Sequence, residues 1–128
     1  MKILLFLFFL VSTNAFSQSL SVEKLSTCLL SKCDEKKLFA EHQFKEVYSG
    51  PRKMGGYLSL FQNKVQKEYL FSYSDKNHQI TQFIYYLPTK KEYDKMSKQS
   101  VKGIKVDRKG RVEYEDGKKY YQVSISID

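Results

Sequence analysis

The sequence predicts an α+β fold: an antiparallel sheet of about five strands with helices on one face. Three observations predict it. Apolar residues recur at helical spacing over 22–43 and again over 90–104. From Tyr57 onward the side chains alternate with a period of two, and the closing stretch reads as two strands around Asp116-Gly117. The 128 residues, 28% charged and 41% hydrophobic, suit one folded domain and are too few for two independent cores. They are also too few for a doubly wound nucleotide fold or a (β/α)₈ barrel.

The first element is an export signal. Met1-Lys2 gives a positive start, residues 3–11 are an unbroken apolar run of nine, and Ala15-Phe16-Ser17 supplies a small-x-small end. A helix of that length spans roughly 14 Å, less than half of the ~30 Å hydrocarbon core. Residues 1–17 are therefore expected as a signal peptide and 18–128 as a single domain, with cleavage after Ala15 as the alternative. No later run is long enough to span a membrane, and the expected location is periplasmic or secreted.

Ser21 can cap a helix starting at Val22, with Leu20 and Leu25 placed as a hydrophobic staple. Leu25, Cys28 and Leu29 continue it, the pattern blurs at Ser31-Lys32-Cys33-Asp34, and Leu38, Phe39 and His42 resume it. Two short helices, or one broken helix, are expected over 22–43. An extended piece is expected over 44–47, and Ser49-Gly50-Pro51 and Gly55-Gly56 punctuate a loop.

Strands follow at 57–61, 68–73 and 79–87, the last central and covered on much of both faces. Thr89-Lys-Lys-Glu92 is a capping box opening the best helix in the chain. Tyr93, Met96, Ser97, Ser100, Val101 and Ile104 would form its buried face, and Gly103 its left-handed C-terminal residue. Lys91, Lys95, Lys98 and Lys102 would lie opposite, so one helix carries a docking face and a cationic face.

In the final hairpin, Val112 and Tyr114 alternate with Arg111, Glu113 and Glu115, and Asp116-Gly117 suits a type I′ turn. Tyr121, Val123, Ile125 and Ile127 then alternate with a set that is polar apart from Tyr120. Residues 31–73 and 89–127 share an outline of helix, short extended piece, loop, strand and strand, which suggests two similar halves.

Charge is distributed unevenly. Removing residues 1–17 takes away one of the 22 Lys+Arg and none of the 14 Asp+Glu. Residues 90–111 hold nine bases (Lys90, Lys91, Lys95, Lys98, Lys102, Lys105, Arg108, Lys109, Arg111) against three acids (Glu92, Asp94, Asp107). Such a patch concentrates anionic partners. Outside the cytoplasm these would be acidic polymers or an acidic protein face; that compartment disfavours nucleic acid.

Reactive residues are sparse. Cys28 and Cys33 are five apart, roughly 8 Å in an unbroken helix, beyond the ~7 Å that a disulfide can bridge. A bridge therefore requires a helix break at 31–32, and an oxidising compartment favours it. The C-x₄-C spacing lacks redox C-x-x-C geometry and the further ligands of a metal site. His42 and His78 are the only imidazoles, and nothing orients either beside a nucleophile. No metal or cofactor is expected.

Glu113 and Glu115 share a strand parity and could serve a glycosidase-like site, although turn solvation and pairing with Lys118 and Lys119 is the simpler and favoured account. Aromatics are the better lead. Ten Tyr and no Trp accompany Phe39, Phe44, Phe61, Phe71 and Phe83 after the signal. Tyr is enriched at recognition surfaces. Tyr57, Phe61, Tyr69, Phe71, Tyr73, Phe83 and Tyr85 are expected to share one sheet face, as the core under the helices or, alternatively, as an open binding platform, leaving Tyr86 and Tyr120 as surface candidates.

The Ser-Gln end of the signal, the Thr89-x-x-Glu92-Tyr93 helix after an aromatic strand and the closing Tyr121-x-Val123-x-Ile125-x-Ile127 strand resemble small exported proteins of Gram-negative bacteria. The likeness covers mainly 79–127 and implies no active site. The helix-plus-sheet outline is similar to that of exported proteinaceous inhibitors of β-lactamase, with no motif that carries over an inhibitory loop. The expected function is non-catalytic binding of a protein or an anionic envelope polymer through exposed Tyr side chains and the Lys face. The alternative is a small hydrolase of polysaccharide or peptide using Glu113 or Glu115.

Overall fold

The computed structural model describes residues 20–31 and 33–128; the signal expected over 1–17 lies outside the described residues. Along the chain come α1 (Val22–Leu30), α2 (Glu35–Glu41), β1 (Lys45–Pro51), β2 (Tyr57–Asn63), β3 (Glu68–Ser74) and β4 (Ile80–Leu87). Then follow α3 (Lys90–Ser97), β5 (Ile104–Glu113) and β6 (Lys119–Ile127).

Local chemistry sets the helix boundaries. The Lys24 N–H donates to Ser21 Oγ at 3.2 Å, and Leu20 and Leu25, both fully buried, complete the staple. Asp34 caps α2 by accepting from the Lys37 N–H, and Thr89 caps α3 by accepting from the Glu92 N–H. Between α1 and α2 the helix breaks at Ser31, which brings the Cys28 and Cys33 Cα atoms to 4.9 Å and allows the disulfide.

The strands form one antiparallel sheet in the order β1-β2-β3-β4-β6-β5. The first four make a meander. β4 and β5 run the same way, so their connection must cross over, and α3 supplies the crossing. β6 then returns between them. The three helices of the described residues lie on one face, against β6, β4, β1 and β5. There Leu25, Leu29, Phe39 and Met96 meet Phe61, Leu70, Phe83, Tyr85, Leu87, Val123 and Ile125. Phe39 is fully buried and packs edge-on against Phe61 at 4.6 Å and Phe83 at 5.8 Å.

The edge strands resist further pairing. β1 carries a bulge between Glu46 and Tyr48 and ends at Pro51. β5 is bulged between Arg108 and Gly110 and studded with Lys105, Arg108, Lys109 and Arg111. Bulges, cations and proline are devices that deny a template to another chain.

The α+β architecture agrees with the expectation of about five antiparallel strands; the sheet has six, because 45–51 forms an edge strand. Other expectations need correction. The extended piece at 104–106 and the strand at 111–113 are one bulged strand, so the second half lacks the loop that matched the first. Helix α3 stops at Ser97; Lys98 is its C-cap and Lys102 lies in the turn before β5. The Gln99 N–H bonds back to Met96 O, while the Gln99 side chain accepts from the Val22 N–H at 2.8 Å. That anchoring to α1 takes 99–102 out of the helix, although Gly103 does adopt a left-handed φ of +83°.

Candidate functional site

The β-register divides the aromatics between two faces. Phe61 pairs with Leu70, Leu70 with Tyr85 and Tyr85 with Val123, and this row points to the helices. The adjacent row, Tyr69, Tyr86 and Gln122, points the other way. Tyr69, Phe71 and Tyr73 therefore separate from Phe61, Phe83 and Tyr85, with which they were expected to share a face, and join Tyr86 on the face that none of the described helices covers. Leu58, Leu60, Ile84, Val112 and Tyr114 share that parity. Open faces of antiparallel sheets are ordinarily polar. This one is half-buried aromatic and aliphatic across its middle.

The β5–β6 hairpin brings Tyr114 onto this face. Gly117 N–H bonds Tyr114 O and Tyr114 N–H bonds Lys118 O, both at 2.9 Å. Gly117 has a φ of +80° while Asp116 does not enter the left-handed region. The turn is thus a type I turn closed by a glycine bulge, and not the type I′ turn expected from Asp-Gly. The Tyr114 ring sits 4.4 Å from Tyr69, 5.1 Å from Tyr86 and 6.1 Å from Phe71. Phe71 meets Tyr86 edge-on at 5.6 Å.

At the far end Arg52 lies over the Tyr73 ring, 4.8 Å from its centroid. The loop that carries Arg52 is closed by Arg52 N–H to Gly56 O at 2.9 Å. A Cβ on Gly56 would fall 2.2 Å from Ser74 O, so only glycine lets this loop approach the β3–β4 turn.

A polar recess of about 170 Å³ terminates the hairpin end, lined by Gln62, Lys64, Lys67, Tyr69, Asp116, Lys118 and Tyr120. Tyr120 points to this face as expected of its parity, yet it is only 4% exposed. Its hydroxyl donates to Asp116 Oδ2 at 2.7 Å. Tyr69 OH donates to the same oxygen at 3.4 Å and accepts from Gln62 Nε2 at 3.3 Å, and the Lys118 N–H donates to Asp116 Oδ1 at 2.8 Å. Partial desolvation works the other way, but the bonds from Tyr120, Lys118 and Tyr69 hold Asp116 below the ordinary carboxylate range.

Desolvation, followed by neighbouring charge and hydrogen bonds, raises the hydroxyl pKa of Tyr69, Tyr86 and Tyr120 and pushes Tyr114 up to about 12. An acid group with a raised folded pKa stabilises the fold fully below its unfolded value and loses that contribution as pH climbs to the folded one. Stability is therefore expected to hold up to pH ~10 and to fall towards the value of about 12 for Tyr114. A phenolate absorbance titration should show these four tyrosines ionising above the ordinary tyrosine range. Simultaneous ionisation of all ten near pH 10 would contradict the packed cluster.

The other expected residues are scattered. Lys91, Lys95, Lys98 and Lys102 are exposed on and after α3, away from the aromatic face. Glu113 is exposed opposite Lys119, while Glu115 is exposed in the turn beyond the strand; neither lines the hairpin-end recess or the one beside the disulfide. His42 ends α2, with Lys24 Nζ 3.1 Å from its Nε2. His78 stacks on Tyr57 at 4.0 Å beside a larger open recess of about 530 Å³ next to the disulfide. Among the described residues no group of three His, Cys, Asp or Glu could hold a metal, and no helix is long and apolar enough to cross a membrane.

Gln62, Lys64, Lys67, Arg52 and Tyr114 escaped the sequence reading. Tyr114 carried the only usable signal, an aromatic abutting the turn on the same parity as Val112. Comparison with protein-family models, curated proteins and solved structures finds no match to this chain.

Proposed function

We propose that the protein is an exported, non-catalytic binding module that recognises a protein or an anionic envelope polymer through the sheet face opposite the described helices. The observation that carries this reading is the aromatic layer of Tyr69, Phe71, Tyr73, Tyr86 and Tyr114 on a face that none of the described helices covers. Rings packed against one another lose little freedom on binding, and Tyr couples apolar area with a hydroxyl. Contiguous apolar surface rimmed by polar groups marks interaction sites. Arg52, Lys64, Lys67 and Lys118 supply such a rim and favour an anionic partner. The cations of α3 move from the centre of the reading to its periphery, because they adjoin no aromatic surface on the open face.

Co-purification from native envelope separates the two surfaces. Phe71→Thr/Tyr73→Thr/Tyr86→Thr keeps strand-compatible side chains while removing the rings. It should weaken partner retention by ~30-fold or more. Lys91→Glu/Lys95→Glu/Lys98→Glu/Lys102→Glu should leave retention within a few-fold. The reverse pattern would return recognition to the α3 region and overturn the open-face reading. Circular dichroism verifies the fold of each variant, with Tyr73→Thr alone as the milder substitute.

A further inference from the structure

We propose that the recess at the hairpin end of the open face binds a carboxylate-bearing sugar unit of an acidic polysaccharide. This rests on the open face being the recognition surface and names the chemistry it takes. Size sets the first limit. At about 170 Å³ the recess is smaller than the ~300 Å³ lower bound for drug-sized ligands, a scale suited to one small ring.

Its lining offers both kinds of polar contact. Asp116 receives Tyr120 OH, Tyr69 OH and the Lys118 N–H. A carboxylate has about four lone-pair sites, so one remains for a ligand hydroxyl. Gln62 uses one N–H on Tyr69 OH, leaving its amide oxygen and second N–H available to a ring substituent. Around them stand the Lys64, Lys67 and Lys118 ammonium groups. Among the described residues the ion pairs are Lys36–Glu46 and Lys109–Asp107, so none of the three is tied to a carboxylate within 4.0 Å.

Three cations around one anion favour a negatively charged ligand, while Asp116 selects what kind. A densely charged polyanion such as polyphosphate has no hydroxyl to give Asp116 and would be repelled by it. A uronate has both parts: ring hydroxyls for Asp116 and Gln62, and one carboxylate for the lysines. The apolar face of a pyranose can lie against Tyr69 and Tyr114. From Tyr69 the track continues along β3 to Tyr73 and Arg52, four residues or roughly 13 Å away. More than one ring of a chain can therefore be engaged, with Arg52 placed for a second carboxylate.

The test is calorimetry on the signal-free chain with polygalacturonate oligosaccharides, neutral dextran and polyphosphate as probes. Polygalacturonate should bind, and dextran and polyphosphate at least tenfold more weakly. Lys64→Gln/Lys67→Gln/Lys118→Gln should weaken polygalacturonate by ~30-fold or more, and Asp116→Asn should narrow its preference over polyphosphate. Equal binding of dextran, preference for polyphosphate, or an unaffected lysine variant would each overturn the assignment. If polygalacturonate fails to bind while the ring-removing variant still abolishes envelope capture, the sugar assignment falls and the binding-module reading stands. If capture survives ring removal as well, both fall.

Discussion

Phe39→Ala is expected to destabilise the fold by about 3–5 kcal/mol, the range for an aromatic truncated in a core that cannot collapse around the void. Phe39 is the side chain through which the short helix α2 grips the sheet. It is fully buried and its ring meets Phe44, Phe61 and Phe83 at 6.1, 4.6 and 5.8 Å. Of the seven residues of α2 it alone is buried; Leu38 packs only partly against the core, and Glu35 adds a hydrogen bond from Ser72 that cannot fill the void left by the ring. A helix of two turns has negligible stability without such packing. Against a typical total of ~5–15 kcal/mol, the loss should shift the urea midpoint down sharply. Leu30→Ala is the control: Leu30 is 52% exposed on α1, and its removal should change stability by less than ~0.5 kcal/mol. A Phe39→Ala midpoint indistinguishable from that control would refute the role given to α2.

The helical layer was legible because its signals are local. Ser21 and Thr89 each cap the helix that their spacing announces, and the break that permits Cys28–Cys33 falls where the apolar pattern blurs. Where α3 ends was not legible, since Gln99 leaves the helix to serve the Val22 N–H of a distant element. The first edge strand was hidden for a different reason: β1 is exposed along almost its whole length, so burial leaves no period-two trace in Lys45-Glu-Val-Tyr-Ser-Gly-Pro51.

The site was only half legible. Within one strand parity decides the face, but between strands it is set by turn length and register, and a shift of one residue reverses every side chain. Phe61, Phe71 and Phe83 all have odd numbers, yet Phe71 faces away from the other two because Phe61 pairs with Leu70 and Phe83 with Ser72. The same logic explains why Tyr86 and Tyr120 were placed on the right face and Tyr120 was nonetheless given too much exposure. Its partner Asp116 sits in a turn whose true geometry folds the hairpin tip over the ring.

Tyr85→Phe is expected to cost about 2–4 kcal/mol while leaving the packing intact, because it removes a single oxygen from a buried polar chain. The Tyr85 hydroxyl donates to Glu68 Oε1 and accepts from the Leu20 N–H at 3.3 Å. Tyr85 and Leu20 are fully buried and Glu68 is 1% exposed, so water cannot restore either bond cheaply. Phenylalanine retains the ring that meets Phe44 edge-on at 6.0 Å, which separates the hydroxyl's contribution from that of packing. Adding Glu68→Gln should produce a loss smaller than the sum of the two single losses by ~1 kcal/mol or more, the signature of groups in one network. Stability within ~0.5 kcal/mol of the parent would mean that the hydroxyl is dispensable. Glu68 opens β3, whose opposite parity places Tyr69, Phe71 and Tyr73 on the open face. If the network serves stability alone, ligand binding in Tyr85→Phe will fall only in proportion to the unfolded fraction. A larger fall would show that the buried carboxyl also holds the register on which the aromatic layer depends.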